Sequence, residues 1–158
     1  MPKKSSAGRS PDAATPLRGG ATAAEEEVLV KHRGKALNFL LNRPKALNAL
    51  TLGMVRTLQG EYQKAAADPQ VGCILMTGVG GKAFCAGGDV VGIYNSAKDG
   101  DAGKLGVLSD TFFREEYFLN ASIAGSPKPQ VSVWDGICMG GGAGLSVHGA
   151  FRVATEKA

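Results

Sequence analysis

Two histidines and three cysteines are all that this 158-residue chain offers a transition metal. Cys73, Cys85 and Cys138 are odd in number and widely spaced, with no C-x-x-C pair and no Cys/His cluster around His32 or His148. Those spacings exclude a zinc site and a disulfide framework, and point to buried, reduced thiols in an intracellular compartment. No apolar run approaches the roughly 20 residues of a membrane span, so no membrane partner is expected. A secretory apolar segment is missing as well. Acids are nearly absent from the first 24 residues, where Lys3, Lys4, Arg9 and Arg18 face Asp12 alone. The other 134 residues carry 14 basic and 13 acidic side chains, so the net charge of +4 belongs to the N-terminal stretch. A basic face with exposed aromatics or a reading helix is not visible in the remainder, which excludes a nucleic-acid partner.

Residues 1–24 hold Leu17 as their only large apolar side chain after Met1 and are rich in Ser, Ala, Pro and Gly. Such a composition cannot build a core and reads as a disordered tail. Basic, Ser-rich, acid-poor segments also describe organelle targeting sequences, although Pro2, Pro11 and Pro16 interrupt any amphipathic helix. Residues 25–158 form one globular unit, by length about one domain.

What the chain has in excess is glycine, 23 of 158 residues, about twice the usual share. From Val28, "VLVKHRGKALNFLLNRP" predicts two strands around Gly34. Thr51 suits a helix N-cap, followed by Leu52, Val55, Leu58, Tyr62 and Ala65 or Ala66 at spacings of three and four, with Asp68 and Pro69 as the stop. "VGCILMTG" reads as a buried strand. A glycine loop and a polar surface stretch at Lys98 to Lys104 follow, then a helix over Leu108 to Ile123. "SPKPQVSVWDG" breaks that helix and opens a strand, after which come a second glycine loop, a short helix and a last strand in "FRVAT". Alternation of this kind predicts an α/β protein.

Three chemistries compete for the glycines. Gly78 to Ala83 fits a relaxed dinucleotide fingerprint, but no helix opens there. "GLSVHG" misses the nucleophile-elbow spacing by one residue, and Ser146 and His148, at i and i+2 on a helix, point apart. The remaining reading takes both loops together, as two backbone N–H groups converging on one carbonyl oxygen, with the helix opening near Gly142 adding its positive end. Close packing of strand on helix accounts for the same glycines equally well.

"NRPKALNAL" (42–50), "GGKAFCAGGDV" (80–90) and "GICMGGGAGLSVHGAFRVATEKA" (136–158) resemble, in order and spacing, the enoyl-CoA hydratase/isomerase or crotonase superfamily. "FFREEYFLN" (112–120) with the "LSVHG" segment resembles its 3-hydroxyisobutyryl-CoA hydrolase branch. The resemblance covers residues 28–158. It implies a crotonase-like spiral of ββα units, incomplete at the C-terminus, and an acyl-CoA thioester substrate from valine breakdown in the mitochondrion. CoA then enters as part of the substrate, with no metal and no other cofactor. It further implies oxyanion N–H groups at Gly88 and Gly141, CoA contacts at Lys45, Ala46, Leu47 and Ala86, a loop-fixing Asp89 at the substrate loop, and substrate contact by Glu116. For Glu116 the competing role is an ordinary solvated helix acid; Glu115 and Arg114 are read as a local ion pair. Hydratases of the superfamily carry a carboxylate where this chain has Gly144, which disfavours hydration and leaves thioester hydrolysis or isomerisation. The family's main catalytic glutamate falls in a segment beyond the counterpart of Ala158. The 158 residues are therefore expected to be an N-terminal fragment, inactive by themselves.

Overall fold

Gly34 takes a left-handed conformation, φ +57°, and turns β1 (Val28–Arg33) back on β2 (Ala36–Leu41) as an antiparallel hairpin. The computed structural model describes residues 26–98 and 105–158. The tail expected at 1–24 lies outside these residues, as does the surface stretch over 99–104.

After a 3-10 turn at Pro44–Ala46, α1 (Leu52–Ala67) opens on Thr51, whose hydroxyl accepts the Met54 amide at 3.0 Å. The expected cap and stop are both in place, Asp68 being the C-cap. Val55, Leu58, Tyr62 and Ala65 are buried with Met54, whereas Leu52 is only partly covered. β3 (Cys73–Gly78) and β4 (Ala83–Cys85) lead to α2 (Val90–Lys98) and α3 (Leu105–Ala124). β5 (Gln130–Trp134), β6 (Ile137–Cys138), α4 (Gly141–Val147) and β7 (Phe151–Ala154) complete the order.

Chain order thus runs ββα, ββαα, ββα and a final strand. The large sheet is ordered β1-β2-β3-β5-β7, parallel except for the hairpin, and the small one pairs β4 with β6 in parallel. In the second and third units the first strand joins the large sheet and the second joins the small sheet. This is the spiral of ββα units that the motifs imply.

Three elements differ from the sequence reading. β4 and β6 occupy what read as loop, and α2 fills part of the stretch read as glycine loop and polar surface. Two or three residues are too few to show a period. In α2 the apolar Val90, Val91 and Tyr94 are 64–65% exposed and Ile93 packs against the core, so its apolar residues do not mark one buried face at helical spacing.

The core lies between the large sheet and α1 and α3, around Phe39, Leu41, Leu58, Met76 and Leu119. Tyr62 packs edge-on to Phe39, with ring centroids 5.2 Å apart, and donates its hydroxyl to Gln130 Oε1. Gln130 Nε2 in turn donates to Ser132 Oγ and to the Leu145 carbonyl, both at 2.7 Å, tying α1 through β5 to α4.

Glycine is dispensable at one interior position. A Cβ on Gly60, in the middle of α1, would meet nothing within 4 Å. Gly60→Ala is expected to stabilise the fold by about 0.5–1 kcal/mol through helix propensity. A lower midpoint in urea unfolding would contradict this.

Candidate active site

The small sheet sets the site. β4 and β6 run parallel, so their glycine loops leave at the same end. Cys85 pairs with Cys138, and Gly88 and Gly141 each lie three residues further on. The Met139 amide donates to the Cys85 carbonyl at 3.1 Å, which extends the pairing into the loops. The loops then touch: a Cβ on Gly140 would lie 3.4 Å from Gly87 Cα, and one on Gly87 would lie 3.6 Å from the Gly141 nitrogen. Gly87 takes φ +101° and Gly140 φ +51°, values that other residues adopt only under strain.

Gly88 is held by a third segment. The Leu50 amide donates to the Gly87 carbonyl and the Asp89 amide to the Leu50 carbonyl, both at 2.8 Å, forming an isolated parallel bridge between Leu50 and Gly88. Backbone groups alternate sides along such a ladder, so the Gly88 amide points away from Leu50. Its carbonyl accepts from Val90. Gly141 is the first residue of α4, where the amide has no carbonyl within its own helix to donate to. Among the described residues neither the Gly88 nor the Gly141 amide meets a protein acceptor.

The segment carrying Leu50 is itself pinned. Leu47 and Asn48 both adopt positive φ, 51° and 55°. Asn48 is fully buried; its Oδ1 accepts the Arg43 amide at 2.9 Å, and its Nδ2 donates to the carbonyls of Val79 and Ala83 at 3.0 and 2.9 Å. Arg43 reaches the Ala49 carbonyl at 2.6 Å, Glu27 at 3.0 Å and Asp89 Oδ2 at 2.9 Å. Asp89 Oδ1 accepts the Gly92 amide at 2.9 Å. Burial draws the Asp89 carboxyl upward, but the Gly92 amide and the bond and charge of Arg43 outweigh it and hold the group below its ordinary range. Ala86 and Leu47 are joined by the bond from the Ala86 amide to the Leu47 carbonyl at 3.1 Å, while Lys45 stands exposed on the 3-10 turn.

α3 supplies the opposite wall. Glu116 is 5% exposed, and its Oε1 occupies the space a Cβ on Gly141 would need. Burial pushes its carboxyl up from the ordinary value. Glu115, one residue earlier, forms a two-point pair with Arg56 of α1, 2.7 Å at each bond. The neighbouring Arg114 adds a smaller Coulombic attraction, since residues adjacent on a helix do not face each other. Gly141, Glu116, Asn120, Gly144 and His148 line one cleft of about 640 Å³ between α3 and α4. Gly88 faces Phe112 instead, next to a smaller apolar pocket of about 110 Å³ lined by Asp89 and Leu50.

Two nearby nucleophiles are withdrawn. Ser146 donates back to the Gly142 and Ala143 carbonyls, 2.9 and 3.1 Å away. Burial pushes the Cys85 thiol up to about 12, so it carries its proton at neutral pH. Among the described residues no cluster could hold a metal ion, and no helix is long and apolar enough to cross a membrane. Sequence reasoning missed Arg43, Asn48 and Asn120. For Asn48 a signal existed, since asparagine tolerates positive φ better than other side chains.

A sequence model described as enoyl-CoA hydratase/isomerase matches residues 36–158. A protein of Rattus norvegicus named 3-hydroxyisobutyryl-CoA hydrolase, mitochondrial, is 52% identical over 131 residues, covering 83% of this chain and 33% of the relative. The protein of the same name from Danio rerio is 54% identical over 134 residues, covering 85% and 34%. The chain spans about a third of the length of these curated relatives. The crystal structure of a carnitinyl-CoA dehydratase from Mycobacterium thermoresistibile matches with a TM-score of 0.77 and 47% identity, covering 84% of this chain and 38% of the other.

Proposed function

This chain belongs to the enoyl-CoA hydratase/isomerase family, and from that premise we propose that its site binds an acyl-CoA thioester for hydrolysis. The substrate we assign is 3-hydroxyisobutyryl-CoA, cleaved by the whole protein to 3-hydroxyisobutyrate and CoA in the mitochondrion, as a step of valine breakdown. One observation carries the reading. Two glycine amides without acceptors among the described residues follow adjacent parallel strands at equal offsets, and one of them, Gly141, lies against a buried carboxyl group, that of Glu116.

In this scheme the thioester oxygen lies between the Gly88 and Gly141 amides. Water attacks the carbonyl carbon and gives up a proton to the base, and the resulting tetrahedral oxyanion is stabilised by the two donors as its charge develops. Collapse breaks the C–S bond, and the expelled CoA thiolate takes up the proton that water gave, leaving the acid. Glu116, against Gly141, holds the hydroxyl end of the acyl group. Lys45, Ala46, Leu47 and Ala86 flank CoA, and Asp89, held by Arg43, fixes the loop that presents Gly88. CoA is part of the substrate, and no metal or redox group is required.

Gly144 separates this reading from hydration. Splitting water across a double bond needs a positioned general base and acid, and at this point the chain offers only the Asn120 amide lying over a glycine. The name of the dehydratase relative therefore does not transfer. The carboxylate that activates water is assigned to a segment beyond residue 158.

The natural full-length protein, given 3-hydroxyisobutyryl-CoA, should release free CoA thiol together with 3-hydroxyisobutyrate. Hydration of crotonyl-CoA with no thiol release would overturn the assignment.

A further inference from the structure

Asn120 has no place in the chemistry described so far, and its surroundings are unusual. It lies one helical turn after Glu116 on the same face of α3, and both line the cleft opposite Gly141 and Gly144. Its carboxamide rests on Gly144, where a Cβ would come within 2.8 Å of Nδ2. Its Oδ1 is sealed from solvent and finds no hydrogen-bond donor among the described residues. An amide oxygen left in that state costs stability, so a pairing partner is expected to arrive from elsewhere.

We propose that Asn120 is a specificity-determining residue, which together with Glu116 recognises the hydroxyl group of a hydroxyacyl thioester bound in the α3–α4 cleft. The proposal rests on the acyl-CoA reading of that cleft. A hydroxyl brings one donor and two acceptor lone pairs, and two side chains that offer it one acceptor and one donor satisfy both kinds. Glu116 supplies one member. The carboxamide, with an acceptor oxygen and a donor NH₂, supplies whichever role the carboxyl does not take. Residues four apart on a helix stand side by side, which suits two contacts to one small group. The terminal torsion of asparagine is soft, and the bare Cα of Gly144 leaves the amide room to turn Oδ1 into the cleft. The same glycine explains why nothing larger fits at 144, since any side chain there would push Asn120 away.

An acyl group lacking the hydroxyl would leave the pair unmatched. Selectivity is therefore read as the ratio of kcat/KM for 3-hydroxyisobutyryl-CoA to that for isobutyryl-CoA, measured on the natural full-length protein. Asn120→Leu, close in volume and without hydrogen-bonding groups, should lower that ratio by about ten- to a hundred-fold. Asn120→Gln, which keeps the amide on a longer stem, should recover part of it. The melting temperature of Asn120→Leu should equal or exceed that of the unaltered protein, because the unpaired oxygen is gone. Equal losses on the two thioesters, an unchanged ratio, or a large fall in melting temperature would each overturn the proposal and make Asn120 a packing residue. An unaltered protein that hydrolyses both thioesters equally keeps the acyl-CoA reading while refuting this one. An unaltered protein that acts on neither refutes both.

Discussion

Gly141→Ala is expected to cut thioester hydrolysis by the natural protein by about 10²–10³-fold, the scale seen when one oxyanion donor is lost. Alanine keeps the amide N–H, so the loss comes from position. Its Cβ would overlap Glu116 Oε1 and lie 3.0 Å from Leu50 Cδ1. Either the carboxyl swings away from the acyl group, or the start of α4 backs off and carries the donor with it. A misplacement of about 1 Å is enough for a loss of about a hundred-fold. Steady-state kinetics on 3-hydroxyisobutyryl-CoA, with a melting curve to confirm folding, decides the matter. Activity within about five-fold of the unaltered protein would show that this amide does not hold the oxyanion.

Gly142→Ala, one residue on, should act on stability. Helix propensity alone would favour alanine by about 1 kcal/mol. Against it, the new Cβ would collide with the Cys85 carbonyl oxygen and approach Cys85 Cβ to 2.9 Å. Those atoms belong to β4, which is buried along its whole length and fixed by its pairing with β6. The helix has to lift off the strand, and overpacking of this kind costs about 3 kcal/mol. A drop of roughly 10 °C in melting temperature is the expected reading. The contrast with Gly60→Ala, the same change with the opposite sign, isolates packing from propensity. A Gly142→Ala protein melting at or above the original would refute the close approach of α4 to β4.

Much of the frame was legible in the sequence because its signals are local. Thr51 before a three–four apolar spacing, a continuous apolar strand at 73–78 and Gly34 between two strands each act over a few residues. The two glycine loops were visible as composition, and their partnership as a resemblance. What stayed hidden depends on long-range contact. β4 and β6 are too short to show a period and exist only as each other's partners. Glu115 finds Arg56, 59 positions away, where a local reading offers Arg114. Asn48 and Asn120 look like ordinary polar residues until the fold buries them, one with its side-chain oxygen and nitrogen both paired and the other with its oxygen unpaired. Arg43 is basic and near a turn, which says nothing of the three separate groups it ties together.

The pairing of Cys85 with Cys138 works as a calliper. Neighbouring strands keep a spacing of about 4.8 Å whatever side chains they carry. Beyond that pair both chains leave the ladder through positive-φ glycines, Gly87 and Gly140, and the two loops stay in contact through their bare Cα atoms. The gauge is thus machined from main chain and is indifferent to drift in the surrounding side chains. Diversity in what the jaws grip has to be written on the movable bench opposite, along the face of α3 that carries Glu116 and Asn120.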